Sequence, residues 1–205
     1  MVTENKLEKI KNLAKKRIKN LIVVLEDVKD KFNAGAILRT CDALGVPFVY
    51  FIFNKIEFYD PYELTSTSVG SSKWILYKIF SKDNYENPTI ECIESLKKEN
   101  FKIVATVVNE KAENIFEFNW PEKTALFLGN EVNGLSDYAI KNADYKVYIP
   151  MLGMVESLNV SVSAGIFIYD IILKRKIKNQ VEFLDEKEQE NYLKKILKKL
   201  KYNFK

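Results

Sequence analysis

The chain has 205 residues, of which 47% are hydrophobic and 29% charged, and its formal net charge is +4. This length and composition fit one folded domain with appended elements and exclude wholesale disorder. The sequence contains no histidine, which excludes Ser-His-Asp and Cys-His catalysis and histidine-ligated metal sites. No apolar run approaches the ~20 residues of a membrane span. The two cysteines lie far apart without a CxxC motif, which indicates reduced thiols, so we expect a cytoplasmic protein.

Apolar segments of two kinds alternate along the chain and predict its fold. The first segment, 6–18, has the spacing of an amphipathic helix. Short runs rich in β-branched and aromatic residues predict strands at 21–25, 48–53, 74–80, 101–108, 124–128 and 145–149. Helical patterns lie between several of them, at 34–44, 89–99, 136–142 and 159–178. This alternation predicts an α/β fold over residues 21–178, with a parallel sheet covered by helices on both faces.

Basic side chains are concentrated at the two ends of the chain. Residues 1–20, a predicted helix, carry seven basic and two acidic side chains, and 191–205 carry six basic and none acidic. The segment 179–205 is predicted to be a helical extension with one leucine-rich face. Two basic ends on an acidic body are typical of a protein that grips a polyanion, although lysine-rich helix faces can equally be solvated surface. The candidate nucleic-acid contacts are Lys15, Lys16, Arg17, Lys194, Lys195, Lys198 and Lys199.

The segment 27–40 follows the first predicted strand and has an unusual composition. In an open α/β sheet, ligands collect where strands end and helices begin. Asn33 is a suitable helix N-cap, and the small residues 34–36 let another group approach the first helical turn. Arg39 lies six residues further on in an otherwise apolar helix. Its side chain has three interpretations: it binds a ligand, faces solvent or pairs with a structural carboxylate.

Two further segments place polar residues at the end of a strand. At 128–136, two glycines and two asparagines surround Glu131, and Ser136 is predicted to cap the next helix. Such a loop suits ligand binding but also occurs as an ordinary turn. At 149–165, serines and Asn159 are set into the start of an apolar, small-residue helix. Buried hydroxyls need hydrogen-bond partners, so this composition is poor for a helix that serves only the core.

Together, the three segments resemble the SpoU/TrmH family of SPOUT RNA 2′-O-methyltransferases. The matching motifs are Asn-x-Gly-Ala-Ile-x-Arg-Thr at 33–40, Leu-Gly-Asn-Glu at 128–131 and Ile-Pro-Met-x-Gly-x-x-Glu-Ser-Leu-Asn-Val-Ser-Val at 149–162. Their order and spacing agree with the family, and Gly-Ser-Ser-Lys-Trp at 70–74 is a further family-like stretch. The resemblance covers roughly residues 10–175.

The resemblance implies a deep trefoil knot near the C-terminus, formed by residues 124–165, which periodicity does not indicate because knots are nearly absent from folds. It also implies S-adenosylmethionine as the cofactor, bound there largely through backbone amides and apolar contacts. Binding of this kind explains why the chain has no glycine-rich nucleotide fingerprint. By matching positions, the cofactor-binding residues are Thr106, Gly129, Asn130, Ile149, Met151, Ser157 and Leu158.

The implied reaction is transfer of the sulfonium methyl group to a ribose 2′-hydroxyl, with no metal ligands in the protein. The reaction requires in-line alignment of oxygen, methyl carbon and sulfur, and an acceptor for the hydroxyl proton. Arg39 is implied as the central residue, either as the base or as a clamp on the adjacent phosphate. A guanidinium keeps its proton to pH above ~12, which favours the clamp. By matching positions, the catalytic residues are Arg39, Asn33, Glu131, Ser157 and Asn159.

The resemblance also implies partners. Family members are homodimers whose site forms between subunits, and the apolar helix predicted at 159–173 is a candidate interface. The basic ends resemble the branch that modifies tRNA, whose usual target is guanosine 18 in the D loop, so we expect tRNA and neither DNA nor a membrane. The alternatives are another RNA ribose, in the tRNA wobble position or in rRNA, and a catalytically silent RNA-binding relative. The presence of Asn33 and Arg39 favours an enzyme.

Overall fold

A seven-stranded parallel sheet forms the centre of the protein, in a computed structural model that describes residues 4–109 and 111–202. The strands are β1 Leu21–Glu26, β2 Phe48–Phe53, β3 Leu76–Ser81, β4 Lys102–Thr106, β5 Glu113–Asn114, β6 Thr124–Leu128 and β7 Tyr145–Tyr148. Their order is β3-β2-β1-β6-β4-β7-β5, and all neighbouring pairs are parallel. The six predicted strands are confirmed. Strand β5 was not predicted, because two residues leave no periodicity in a sequence.

Helices cover both faces of the sheet, as predicted. They are α1 Glu4–Ala14, α2 Lys31–Ala43, α3 Pro88–Lys98, α4 Asp137–Asn142, α5 Val160–Ile177 and α6 Glu186–Tyr202. Because successive strand residues point to opposite faces, the core is divided in two. One part contains residues of α2 and α5, and the other contains residues of α3 and α4. Two 3₁₀ segments, Pro61–Thr65 and Ser71–Trp74, lie between β2 and β3.

The first and last helices pack against each other. Ile10 and Ala14 of α1 share a small core cluster with Tyr192, Ile196 and Leu200 of α6. The apolar face predicted for the last helix is therefore a packing face, which docks α6 on the body of the protein. The packing of α1 on α6 thus brings the two ends of the described chain together.

The prediction that Arg17 contacts nucleic acid is wrong, because its side chain is fully buried between the two ends of the chain. The guanidinium donates to Asp42 Oδ1 at 2.5 Å, to the Tyr192 hydroxyl at 3.1 Å and to the Trp74 carbonyl at 3.2 Å. Leaving any of these acceptors without its donor is costly in a buried site. Arg17 therefore joins α6, α2 and the segment before β3.

The prediction for Lys199 is wrong for the same reason. Its Nζ donates to the carbonyls of Ser72 and Ile75, at 2.5 and 2.7 Å, and lies 3.9 Å from the centre of the Tyr77 ring. Burial lowers the pKa of Lys199 to about 7, although the charge of Asp60 acts in the opposite direction. The other predicted contacts are exposed, namely Lys15, Lys16, Lys194, Lys195 and Lys198.

The described part of the chain contains neither a candidate membrane-spanning helix nor a candidate metal-binding cluster. None of its helices is long and apolar enough to cross a bilayer. Its acidic and cysteine side chains form no group of three that could hold a metal ion. Cys41 and Cys92 are free and buried, and burial raises the pKa of both thiols. Such thiols are inert, so neither cysteine is a candidate nucleophile.

Candidate active site

A cleft of 560 Å³ opens at the carboxyl ends of β4, β6 and β7. These three strands are adjacent in the sheet, so the loops that follow them meet at one edge. The loops contribute residues 106–109, 128–134 and 148–160 to the cleft walls. All seven predicted cofactor-binding residues line this cleft: Thr106, Gly129, Asn130, Ile149, Met151, Ser157 and Leu158. The sequence motifs thus converge in space, although they lie up to 52 residues apart.

The loop after β6 is closed on itself and requires glycine at its start. Asn130 and Gly134 exchange two backbone hydrogen bonds, of 3.0 and 2.9 Å. A Cβ atom on Gly129 would lie 2.2 Å from the carbonyl carbon of Gly134, a contact that no side chain tolerates. Gly134 has a φ of +66°, which favours glycine sterically. The two glycines therefore permit a tight loop that forms one wall of the cleft.

The Asn130 side chain also belongs to the framework of this loop. Its Nδ2 donates to the Asp27 carbonyl at 2.8 Å, and its Oδ1 accepts from the backbone of Val132 and Asn133 at 2.9 and 3.1 Å. Asp27 has a φ of +53°, and its carboxylate accepts from the backbone N–H groups that follow β2. Asn130 thus fastens the loop after β6 to the end of β1.

The segment after β7 offers unpaired backbone groups to the cleft. From Met151 to Leu158, no backbone N–H donates a hydrogen bond to any residue that the structure describes. Leu152 and Met154 are fully exposed, although both are apolar. Unpaired backbone donors and exposed apolar side chains are costly unless a ligand, a second protein or water covers them. The exposed segment is therefore open to contact with a ligand or a second protein.

Beside the cleft, Glu131 receives three hydrogen bonds. Its carboxylate accepts from the backbone N–H groups of Lys29 and Asp30 and from Asn33 Nδ2, each at 3.1 Å. Asn33 Oδ1 in turn accepts from Asn159 Nδ2 at 3.0 Å. The resulting chain, Glu131–Asn33–Asn159, connects the loop after β6 with the starts of α2 and α5. Three of the five predicted catalytic residues are thus linked to one another by direct hydrogen bonds.

Two predicted helix caps at this site have different outcomes. Asn33 is not the N-cap of α2, because that helix begins earlier and Asp30 caps it by accepting from the Phe32 N–H. Asn33 lies in the first turn instead, which leaves its amide free to bridge Glu131 and Asn159. Ser136 caps α4 as predicted, since its hydroxyl accepts from the Ala139 N–H.

The electrostatics keep Glu131 ionised. Burial alone would raise the pKa of its carboxyl group, but the hydrogen bonds from Asn33 and from the backbone of Glu131 itself, Lys29 and Asp30 outweigh burial and lower the pKa. A carboxylate at a helix N-terminus is also favoured by the helix dipole. Glu131 is therefore an acceptor at neutral pH, and most of its acceptor capacity is occupied by the protein itself.

The structure separates Arg39 from this cluster. Six residues of helix place Arg39 about 9 Å further along α2 and about 120° around it from Asn33. Its side chain is exposed, forms no hydrogen bond or ion pair with the residues described, and does not line the cleft. Ser157 is exposed in the wall of the cleft. Within one chain, the site therefore lacks its predicted central residue.

One buried network was not predicted from the sequence. Glu26, the last residue of β1, is almost fully buried and accepts from the Thr89 hydroxyl at 2.5 Å and from the hydroxyl and N–H of Ser136, both at 2.8 Å. It thereby fixes the start of α4, and with it the end of the loop after β6. The available indication was a carboxylate that terminates an otherwise apolar strand, where a buried charge needs partners.

The sequence and fold match known proteins over most of the chain. Residues 20–169 match the SpoU rRNA Methylase family. A protein of Aquifex aeolicus named tRNA (guanosine(18)-2′-O)-methyltransferase is 36% identical over 202 residues, which cover 98% of this chain and 91% of the relative. A protein of the same name from Thermus thermophilus is 36% identical over 177 residues, or 82% of each.

Two solved structures extend the comparison to the fold. The A. aeolicus TrmH/SpoU tRNA modifying enzyme has a TM-score of 0.81 at 33% identity, and the match covers 96% of each chain. The SpoU methyltransferase AviRb from Streptomyces viridochromogenes, in complex with AdoMet, has a TM-score of 0.65 at 27% identity. That match covers 78% of this chain and 59% of AviRb.

Proposed function

Because the chain belongs to the SpoU rRNA methylase family, we propose that it transfers a methyl group from S-adenosylmethionine to the ribose 2′-hydroxyl of guanosine 18 in tRNA. The observation that carries the proposal is the cleft beside Glu131, with its unpaired backbone donors and apolar walls. The relatives that bear the name of this reaction align over 98% and 82% of the chain. A tRNA substrate would place the protein in the cytoplasm.

The cleft fits S-adenosylmethionine chemically. Its volume of 560 Å³ falls within the usual range of small-molecule sites, about 300–1,000 Å³. Leu128, Ile149 and Leu158 would contact the apolar faces of the adenosine, and the backbone of 151–158 would supply donors and acceptors for its polar edges. The tight loop that Gly129 and Asn130 maintain would form the wall against which the cofactor packs.

Bound in this cleft, S-adenosylmethionine supplies an electrophilic methyl group. The ribose 2′-oxygen forms the new C–O bond while the S–CH₃ bond breaks, and the hydroxyl proton must leave. We infer that Asn33 and Asn159 orient the ribose, since their amides meet beside the cleft and Glu131 holds Asn33 in place. Arg39 binds the neighbouring phosphate, which then helps to accept the proton.

Arg39 would reach the site only across a homodimer interface. Exposed apolar residues run along α5 at helical spacing, namely Val162, Ile166, Tyr169, Leu173 and Ile177. The exposed Phe32 lies seven residues before Arg39 and hence on the same face of α2. A continuous exposed apolar surface of this kind marks a protein contact. We therefore propose that two chains pair through α5 and that Arg39 of each completes the other's site.

Mixed dimers test this arrangement. Arg39→Ala and Asn33→Ala should each abolish methyl transfer alone. After the two variants are mixed and subunits exchange, half of the dimers contain one chain of each kind, and one of their two sites has both residues intact. About a quarter of wild-type activity should therefore return, since C2 sites are shared reciprocally. If Arg39 acted within its own chain, mixing would restore nothing.

The proposal includes three further features. The residues 124–165 would form the trefoil knot, since β6 lies between β1 and β4 while the later segment 149–159 returns to the start of α2. Residues 21–178 would form the catalytic domain, with helical extensions at 1–20 and 179–205. The exposed lysines of these extensions would bind tRNA phosphates independently of base sequence. An experimental structure with bound tRNA would test the domain bounds and the lysine contacts, and the path of its chain would test the knot.

Labelled methyl transfer to separate RNA pools tests the substrate. We expect the purified protein to label tRNA and to leave rRNA and DNA unlabelled. Label in rRNA alone would assign the protein to another branch of the family. Binding of tRNA without any transfer would favour a silent RNA-binding relative.

A further inference from the structure

A second groove lies at the opposite edge of the sheet, where β1, β2 and β3 begin. It has a volume of 1270 Å³ and runs between these strand ends and α6. We call it the amino-edge groove and define it by Phe48, Tyr62, Lys78, Lys123, Lys195 and Lys198. The proposed methyl transfer does not use it, because the length of the strands alone separates it from the cleft by about 17–20 Å.

The groove carries positive charge that the protein does not neutralise. Its lining contains six lysines and four acidic residues. Two of the acids, Glu182 and Glu188, are paired with Lys19 at 3.5 and 4.0 Å. The lysines without an ion pair among the residues described are Lys78, Lys123, Lys195, Lys198 and the buried Lys199. Six lysines against four carboxylates give the lining a formal charge of +2, which favours a ligand with phosphate groups.

Aromatic rings lie between these lysines. Lys78 Nζ is 5.4 Å from the centre of the Tyr50 ring, and Lys123 Nζ is 5.5 Å from that of Phe101. Phe48 is half-buried and Tyr62 is exposed, so their rings are partly accessible from the groove. Accessible aromatic rings stack nucleobases, and lysines beside them can bind the adjoining phosphates.

We propose that the amino-edge groove binds a single-stranded segment of the RNA substrate, with one or two unstacked bases on its rings and the adjoining phosphates on its lysines. The inference rests on the proposed function, because it requires an RNA substrate. It explains why exposed lysines of α6 face the start of the sheet instead of the cleft. A folded tRNA has single-stranded segments far from the methylated ribose, so one molecule can occupy cleft and groove together.

A matched pair of double variants tests the groove. Lys78→Gln with Lys123→Gln removes two groove charges, whereas Lys141→Gln with Lys146→Gln removes two exposed charges that line neither the cleft nor the groove. Each phosphate contact contributes about one unit to the log–log salt slope of binding. The groove variant should therefore raise the KM for tRNA about tenfold and lower the salt slope by about two units. Turnover at saturating tRNA and affinity for S-adenosylmethionine should stay unchanged, and the control should match wild type.

Crosslinking and binding measurements separate the groove from the catalytic proposal. Ultraviolet crosslinking of bound tRNA should yield peptides that contain Phe48 or Tyr62, and Tyr62→Ala should reduce that yield. Crosslinks confined to the cleft, or an unchanged salt slope in the groove variant, would overturn the inference. A change of dimerisation or cofactor affinity in that variant would also overturn it, because the groove would then serve assembly or folding. Since tRNA binding is measured without catalysis, absent methyl transfer would count against the proposed function alone.

Discussion

Replacing Glu26 by glutamine should destabilise the protein although the two side chains have the same shape. One amide oxygen can still accept from the hydroxyls of Thr89 and Ser136. The amide NH₂ group, however, would then face the Ser136 N–H, which now donates to Glu26 Oε2 at 2.8 Å. The substitution thus removes one charge-assisted hydrogen bond and opposes two donors in a buried site.

The expected magnitude follows from this count. A hydrogen bond to a charged group contributes about 1.5–3 kcal/mol to stability. For a domain of about 200 residues, each kcal/mol lowers the melting temperature by about 2–4 °C. Glu26→Gln should therefore lower it by about 3–12 °C. Affinity for S-adenosylmethionine should fall as well, because Ser136 anchors the loop that forms one wall of the cleft.

The measurement is thermal unfolding at neutral pH, with Glu190→Gln as the control. Glu190 is exposed, and its one ion pair among the described residues is a surface pair with Lys194 at 3.8 Å, so its loss should change the melting temperature by at most about 2 °C. If Glu26→Gln and Glu190→Gln have the same melting temperature, the buried carboxylate does not organise the site as described.

Three other substitutions probe separate parts of the account. Arg39→Ala should leave the affinity for S-adenosylmethionine within about twofold of wild type while the rate of methyl transfer falls at least about a hundredfold. Calorimetry measures the affinity, and single-turnover experiments measure the rate. A turnover above about a tenth of the wild-type value would contradict the role of Arg39. Gly129→Ala should lower the free energy of unfolding by about 1–3 kcal/mol and weaken cofactor binding, because its Cβ would strike the Gly134 backbone. Gly153→Ala, whose Cβ would meet open space, is the control for stability alone, since Gly153 also lines the cleft. Equal melting temperatures of the two variants would contradict the loop geometry. The pKa of Lys199 is 10.5 in the unfolded chain but about 7 in the folded protein, so between these pH values the unfolded chain binds more protons. The wild-type protein should therefore gain stability relative to Lys199→Met as the pH rises from about 7 to 10.5. A difference in melting temperature between the two proteins that does not change with pH would contradict this expectation.

The sheet was largely predictable because its strands carry a strong local pattern. Short apolar, β-branched runs at 48–53 and 124–128 coincide with β2 and β6. Parallel pairing followed from the helical patterns between them. By contrast, the third strand begins two residues later than predicted, since Trp74 closes a 3₁₀ turn that no period distinguishes from an extended run.

The motifs predicted which residues lie close together, but local sequence patterns gave the wrong cap for α2 and the wrong exposure for two basic residues. Asn33 and Asp30 are both good caps, and only the packed structure shows that Asp30 caps α2 while Asn33 bridges two segments. Arg17 and Lys199 look like the exposed basic residues around them, because a long basic side chain is compatible with either environment. Their burial depends on contacts between the two ends of the chain, which no local pattern records.

Mapping of ribose methylation at nucleotide resolution tests the proposed guanosine-18 methylation directly. Unmodified tRNA is incubated with the purified protein and S-adenosylmethionine, and its nuclease fragments are analysed by mass spectrometry. We expect one added methyl group on the ribose of guanosine 18, which protects the following phosphodiester bond from alkaline cleavage because the 2′-oxygen is blocked. Methylation of a base or of another nucleotide, or no added mass, would contradict the proposal.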